Sequence, residues 1–459
     1  MKRDAPPPTG LPARVREQYG EDRFLVVGCG PLTGPAAARF LEHCGVPYAV
    51  SDLAPAEQTA RRLEGLHPMK VWGDPQTPQH LEGISQVLLS PGVPRTIELV
   101  QAAHAAGIPV WGDLDFLLPL LRHPKLIGIT GTDGKTTTTH LMGEVCHRFG
   151  ATVVCGNNGV PVLDVSEALD HADFAVVEVS SFMLEQTRRL RFDACVLLNV
   201  AQDHVDRYAN PDDYLQAKLN ITHYMRDDDV FVRPGTDPRL ASARPARGRV
   251  RDLDTEAAHF DLSTETFVYR GARLRFADCA LAGKHFIPDI LAVLAVSDEL
   301  GFPSPAVLDA VRSFPGLPHR FRTVAHHDGV RVIDDSKATS VQAVQAALDS
   351  CTGPVVLIVG GRDKQLDFTP LASRVGSLAG CIAYGEAGLR IRDQLMQPNV
   401  VYVQDFRVAV RLACTRVPSP GCLLLSPGCT SWDQFESYEV RGRVFAEEAE
   451  RALFGRGAA

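Results

Sequence analysis

No apolar run in the 459-residue chain approaches the roughly 18 residues that a membrane-crossing helix needs. The first residues, MKRDAPPPTGLPARV, carry charges and prolines but no apolar stretch of the kind a secretory signal requires, so the cytoplasm is the expected compartment. The 11 cysteines form no C-x-x-C pair and lie scattered in mostly apolar contexts, which points to reduced core residues rather than disulfides or zinc ligands. Positive charge is in short supply as well. With 47 Lys+Arg against 55 Asp+Glu the net charge is -8, which argues against an extended nucleic-acid surface. One basic stretch, RPARGRVR at 244–251, lacks aromatic neighbours and reads as a solvated loop. Short-period repeats and low-complexity tracts are also missing.

What remains is the composition of an ordinary globular protein, 45% hydrophobic and 22% charged, too long for one core. Domains of roughly 100–200 residues imply about three of them. The first, 1–111, opens with strand, glycine turn, helix and strand: FLVVG from Phe24, then CGPLTG, PAAARFLEHCG and YAVSD. That is a dinucleotide-type βαβ unit. The second, 112–316, carries LIGITGTDGKTTT, VVCGNNG, FAVVEVSS and ACVLLNV, each an apolar run stopping at a polar or glycine-rich loop, the rhythm of a mostly parallel α/β sheet. Finer alternation between about 230 and 280 predicts inserted antiparallel strands before a helix starting near His285. In 317–459 the βα rhythm returns. The expected fold class is α/β, with a P-loop ATPase-like domain between two Rossmann-like ones.

The segment 128–138, GITGTDGKTTT, follows an apolar strand and precedes a helix, the context of a phosphate loop. Gly131 and Gly134 let backbone N–H groups approach phosphate oxygens, and the helix aims its positive end at them. Thr132, Asp133 and Thr137 complete the loop. Lys135 supplies a mobile charge for the phosphates, and Thr136 a hydroxyl for Mg2+. The first position of the usual phosphate-loop pattern is Ile129 rather than glycine. Glu178, after three apolar residues, is costly to bury unless paired or metal-bound. His204 alone reads as a helix N-cap or core residue; with Glu178 and the loop it becomes a magnesium candidate.

With these motifs the chain resembles the Mur ligase family, and within it the D-glutamate-adding branch. GTDGKTTT, GNNGVP, VVEVSSFMLEQ, LNVAQDHVDRY, LPHRF, DDSKATS and SPGCTSWDQFESYEVRG stand in that family's order and approximate spacing, and the S-x-D-Q-F core points to the branch. The resemblance implies ATP and Mg2+ as cofactors, UDP-N-acetylmuramoyl-L-alanine and D-glutamate as substrates, and a monomer. It puts Leu32, Thr33, Asp52, Gly92 and Asn157 at the UDP substrate. It gives phosphates and magnesium to Lys135, Thr136, Glu178, His204 and Lys218, the last as a carbamate, although from its own context Lys218 reads as a surface helix lysine. In the third domain it assigns His319, Arg320 and Asp335 to ATP, and Lys337, Thr339, Lys364, Ser431, Trp432 and Tyr438 to D-glutamate or the developing acyl phosphate.

Three departures stand out. Asp133 replaces a frequent asparagine, HFIPD places Phe286 and Asp289 where two asparagines are usual, and Ala54 sits near Asp52 where some relatives have a basic residue. Competing readings are a ligase adding another amino acid, a folylpolyglutamate-type ligase, a nicotinamide-dependent dehydrogenase built on the glycine turn and Asp52, and a non-catalytic nucleotide-binding protein.

Overall fold

The computed structural model describes residues 10–122, 124–201, 207–208, 210–281 and 283–454. They form two compact units. The first runs to Asp261 and adds Phe267–Arg273 and Asp289–Ala310; the second comprises Leu262–Thr266, Leu274–Pro288 and the chain from Val311 onward. No helix among the described residues is long and apolar enough to cross a membrane.

The first unit holds two parallel sheets. One is built from β1 (Phe24–Val27), β2 (Tyr48–Ser51), β3 (Val71–Trp72), β4 (Gln86–Leu89) and β5 (Val110–Trp111) in the order 3-2-1-4-5. This is a doubly wound, Rossmann-like sheet, and its order reverses between β1 and β4, where such sheets open a crevice. The other contains β6 (Lys125–Thr130), β7 (Thr152–Gly156), β8 (Phe174–Glu178), β9 (Ala194–Leu197), β10 (Val230–Arg233) and β11 (Arg249–Asp252), ordered 11-10-9-6-8-7. Its central strands are apolar because helices cover both faces; Ile127, Ile129, Val176, Val177 and Val196 are fully enclosed.

The finer alternation after residue 230 divides differently from the sequence expectation. Val230–Arg233 and Arg249–Asp252 extend the main parallel sheet instead of forming an insert. The small sheet starts later, with β12 (Ala258–Asp261), β13 (Thr266–Tyr269) and β14 (Ala272–Arg275). Only Arg270 and Gly271, both at positive φ, join β13 to β14, and a two-residue link joins antiparallel strands. The basic stretch also resolves further. Its end, Arg249–Arg251, lies in edge strand β11, where Arg249 and Arg251 both pair with Glu299, and Arg247 pairs with Asp227. Arg244, the remaining arginine of the stretch, donates to the Ala241 and Ala243 carbonyls.

In the second unit β15 (Arg322–His327) runs antiparallel to β16 (Val330–Asp334), and the rest of the sheet is parallel: β17 (Val355–Gly360), β18 (Gly380–Tyr384), β19 (Val400–Val403) and β20 (Gly421–Gly428), ordered 15-16-20-17-18-19. All 11 cysteines are free and nine of them are buried.

Candidate active site

Register brings the sequence motifs of the first unit together. Ile129 pairs with Glu178, Thr130 with Leu197, and Glu178 with Gly156, so four strands end side by side at their carboxyl ends. The phosphate loop leaves β6 there and enters the helix Lys135–His147, with Gly134 as N-cap at φ 84. A Cβ on Gly134 would sit 2.2 Å from Asp289 Oδ1, so this position tolerates only glycine. The loop is braced from β9. Asn199 accepts from the N–H groups of Thr132 (3.1 Å) and Asp133 (2.9 Å) and donates to the Asp133 carbonyl (3.1 Å). Asp133 itself is exposed, so its charge is screened by solvent.

Lys135 Nζ donates to the Thr132 carbonyl at 2.7 Å, folded back over its own loop. Lys218, expected on a helix surface from context alone, is 1% exposed. The helix Pro211–Leu219 carries it inward, where Nζ donates to the Gly131 carbonyl at 2.7 Å and lies 4.4 Å from the Tyr214 ring centre. Glu178 is 2% exposed; Oε1 accepts from Asn157 Nδ2 at 2.9 Å, while Oε2 is buried with no hydrogen-bond partner. An orphaned carboxylate oxygen is costly, and a hard divalent cation is a ligand that cancels the cost. The residues present therefore fit a magnesium ion, with Thr136 next to Lys135 at the start of the helix. His204 lies outside the described residues. Among the described residues no group of three or more His, Cys, Asp or Glu side chains gathers.

A cavity of about 450 Å³ runs along this region, and Leu32, Thr33, Asp52, Gly92 and Asn157 all line it. At one end the glycine turn leads into the helix Thr33–Cys44; Gly28 has φ 89, and a Cβ there would come within 2.5 Å of Val93. Asp52 closes that end. It accepts from the backbone N–H groups of Cys29 and Ala54, and Arg62 stands 3.8 Å away. Ala54 thus contributes its backbone, and the cation beside Asp52 comes from Arg62. At the other end Gly156, Asn157 and Ser180 lead toward Glu178.

In the second unit, β16, β17 and β20 end together, Asp334 opposite Leu425 and Gly360 opposite Gly428. His319, at φ 62, bonds Asp334 Oδ2 through Nδ1 at 2.6 Å. Asp335 accepts from Phe321 N–H and Ser426 Oγ, and burial pushes its carboxyl up to about 7. Lys337 Nζ lies 4.3 Å from the Tyr438 ring centre, its backbone N–H donating to the His319 carbonyl. Arg320 and Thr339 are half-buried and Ser431 is buried, whereas Lys364 and Trp432 are exposed, Trp432 to 68%. The GGRDK and CTS loops adjoin, the Arg362 N–H donating to the Thr430 carbonyl at 2.9 Å.

Three family models match in order along the chain: the N-terminal domain of MurD-like Mur ligases at 22–112, the Mur ligase middle domain at 129–297 and the Mur ligase glutamate ligase domain at 319–429. The UDP-N-acetylmuramoylalanine–D-glutamate ligase of Syntrophotalea carbinolica is 35% identical over 453 residues, covering 96% of this chain and 100% of that one. The chain belongs to the Mur ligase family. The enzyme of the same name from Methylobacillus flagellatus is 36% identical over 94% of this chain and 97% of its own. Among solved structures, the fold is shared with a MurF ligase of Thermotoga maritima in complex with ADP (TM-score 0.62, 15% identity, 89% of this chain and 96% of that one) and with MurC of the same organism (TM-score 0.54, 19% identity, 95% and 99%).

Two residues of this Mur ligase went unmarked in the sequence. Asn199 braces the phosphate loop, and its only sequence signal is an asparagine closing an apolar strand in the motif LLNVAQDH. Arg441, fully buried in the helix Tyr438–Phe454, donates to Ser336 Oγ (2.9 Å), the Ser336 carbonyl (2.6 Å), the Cys429 carbonyl (3.1 Å) and Tyr384 OH (3.1 Å). It binds the DDSKATS and CTS loops to each other from beneath. An arginine in an amphipathic helix gives no hint of that in sequence.

Proposed function

We propose that this Mur ligase joins D-glutamate to UDP-N-acetylmuramoyl-L-alanine at the expense of ATP, in the assembly of cytoplasmic peptidoglycan precursors. The observation that carries the reading is the single cavity that runs from the glycine turn and Asp52 to Asn157, whose amide holds the buried carboxylate of Glu178 beside the phosphate loop. In the proposed reaction the terminal carboxylate of the substrate attacks the γ-phosphorus of ATP and ADP leaves. The amine of D-glutamate then attacks the acyl carbon, and inorganic phosphate departs with the bonding electron pair. Carboxylate oxygen is a poor leaving group, and phosphorylation makes it a good one.

In this reading Gly131, Thr132, Asp133, Gly134 and Thr137 cradle the phosphates through backbone and hydroxyl groups, and Lys135 places a positive charge where negative charge develops. Thr136, Glu178, His204 and Lys218, carbamylated by CO2, are the proposed holders of magnesium, which when bound neutralises phosphate charge. His319, Arg320 and Asp335 serve ATP; Lys337, Thr339, Lys364, Ser431, Trp432 and Tyr438 serve D-glutamate and the acyl phosphate. The proposed domain extents stay at 1–111, 112–316 and 317–459, and the proposed state is a monomer. A carbamate at Lys218 turns a cation into an anion beside Gly131. Activity in CO2-depleted buffer should therefore fall and recover with bicarbonate, and Lys218→Ala should be inactive under both conditions. A fully active Lys218→Ala enzyme removes the carbamate from the mechanism. The reaction as a whole is tested by phosphate release, which should require UDP-N-acetylmuramoyl-L-alanine and D-glutamate together and fail with L-glutamate.

A further inference from the structure

The substrate cavity has an acidic residue in its wall to which the resemblance gives no role. Asp113 begins the short helix Asp113–Leu117 directly after β5, is 5% exposed, and lines the cavity together with Asn157, Ser180 and Met183. Its neighbour on the same helix, Asp115, has a plain structural task, since Oδ1 accepts from Arg189 N–H at 2.8 Å. Among the described residues no hydrogen bond ties Asp113 to another element. Its Oδ1 accepts from the N–H of Leu114 at 2.8 Å, and its own backbone N–H adds to this, but no cation is among the groups that hold its charge. Burial raises its carboxyl to about 6. Across the same cavity Asp52 is satisfied quite differently, by two backbone amides and Arg62.

A carboxylate facing a cavity for a nucleotide diphosphate meets like charge if it lies against the phosphates, which costs free energy at short range. Those phosphates have a better place at the start of the helix Thr33–Cys44, whose amino end favours anions. What is left of the substrate along this wall is its uncharged acylamino-sugar and the amide that joins it to alanine, which offer N–H groups. A buried carboxylate without a cation is the acceptor such a donor requires, and an N–H donor to a charged acceptor discriminates strongly against ligands that lack it.

We propose that Asp113 is a specificity-determining residue of the substrate cavity, its carboxylate accepting a hydrogen bond from an amide N–H in the neutral segment between the diphosphate and the reacting carboxylate. The inference rests on the proposed function, and the wild-type assay with UDP-N-acetylmuramoyl-L-alanine and D-glutamate tests that reading separately. In an active enzyme, Asp113→Asn keeps the size and the bond to Leu114 while replacing the cavity-facing acceptor by an NH2 donor. Its KM for the UDP substrate should rise at least about tenfold, the scale of one hydrogen bond to a charged group, with kcat changed much less. Inhibition by UDP alone, which lacks the neutral segment, should be the same in both enzymes.

The ionised form is the binding form. For the wild type, kcat/KM for the UDP substrate should therefore fall below about pH 6, and that limb should vanish in Asp113→Asn. Cys155 of β7 is a titratable group coupled to Asp113; burial and the Asp113 charge push its thiol up to about 12, so it stays neutral throughout. Asp52, with Arg62, belongs to both enzymes and cancels in the comparison. If Asp113→Asn does not fold, Asp113→Glu displaces the acceptor by one methylene and should give the same split between KM and UDP inhibition. Unchanged KM and an unchanged pH profile in a folded variant, or equal weakening of UDP and of the full substrate, overturn the proposal.

Discussion

At the scale of single residues, the strongest expectation concerns Lys135. Its ammonium is held 2.7 Å from the Thr132 carbonyl, over the loop that it is proposed to serve. Replacing it by alanine should lower turnover by at least about a hundredfold, the scale of losing one preorganised electrostatic contact; near-normal turnover contradicts the role. Asp335 makes a pH-dependent prediction. Its carboxyl titrates at about 7 in the folded chain and near the ordinary value of about 3.9 when unfolded. Between those values the folded state binds a proton that the unfolded state does not, so stability is lost as pH rises through the window. Asp335→Asn should melt above the wild type at pH 8, and the gap should close toward pH 5. Residue types in motifs were readable from sequence wherever the type dictates chemistry, as with the glycines at 131 and 134. Burial was not. Lys218 looks like any helix lysine until the helix is placed, and Asn199 and Arg441 act through backbone groups far from them in sequence.

At the scale of elements, the arrangement depends on strands that stop in register. Parallel pairing puts Thr130, Glu178, Gly156 and Leu197 at one edge, and apolar runs ending at polar loops announce such edges in sequence. Order within the sheet is not announced: nothing in FAVVE says that it lies between β6 and β7. The expected insert is present at 258–275, but the strands at 230–252 belong to the main sheet, because period-two alternation fits an edge strand of a parallel sheet as well as an antiparallel insert. Val230–Arg233 is buried throughout, and its sequence VFVR is too short to show that. The helix Tyr438–Phe454 carries the element-scale prediction. Arg441→Met should destabilise the protein by about 3 kcal/mol, because several buried acceptors lose their donor at once. Its KM for D-glutamate should rise as the DDSKATS and CTS loops part; thermal melting and steady-state kinetics measure both.

At the scale of the molecule, three α/β domains in a row were legible from the rhythm of apolar runs, and the family models fall on the chain in the same order. One of the departures in HFIPD also finds a physical setting here. Asp289 packs its carboxylate against Gly134, so this position acts on the shape of the phosphate loop. Chemistry at this scale is a transfer of oxygen as well as of bonds. If ATP activates the carboxylate, one carboxylate oxygen leaves with the phosphate. The most direct measurement places a heavy-oxygen label in the terminal carboxylate of UDP-N-acetylmuramoyl-L-alanine, supplies ATP, Mg2+ and D-glutamate, and weighs the products. Labelled inorganic phosphate formed in step with the D-glutamyl product is the expected result. Ligation that releases unlabelled phosphate, or release of phosphate with no D-glutamyl product, contradicts carboxylate activation followed by amine attack.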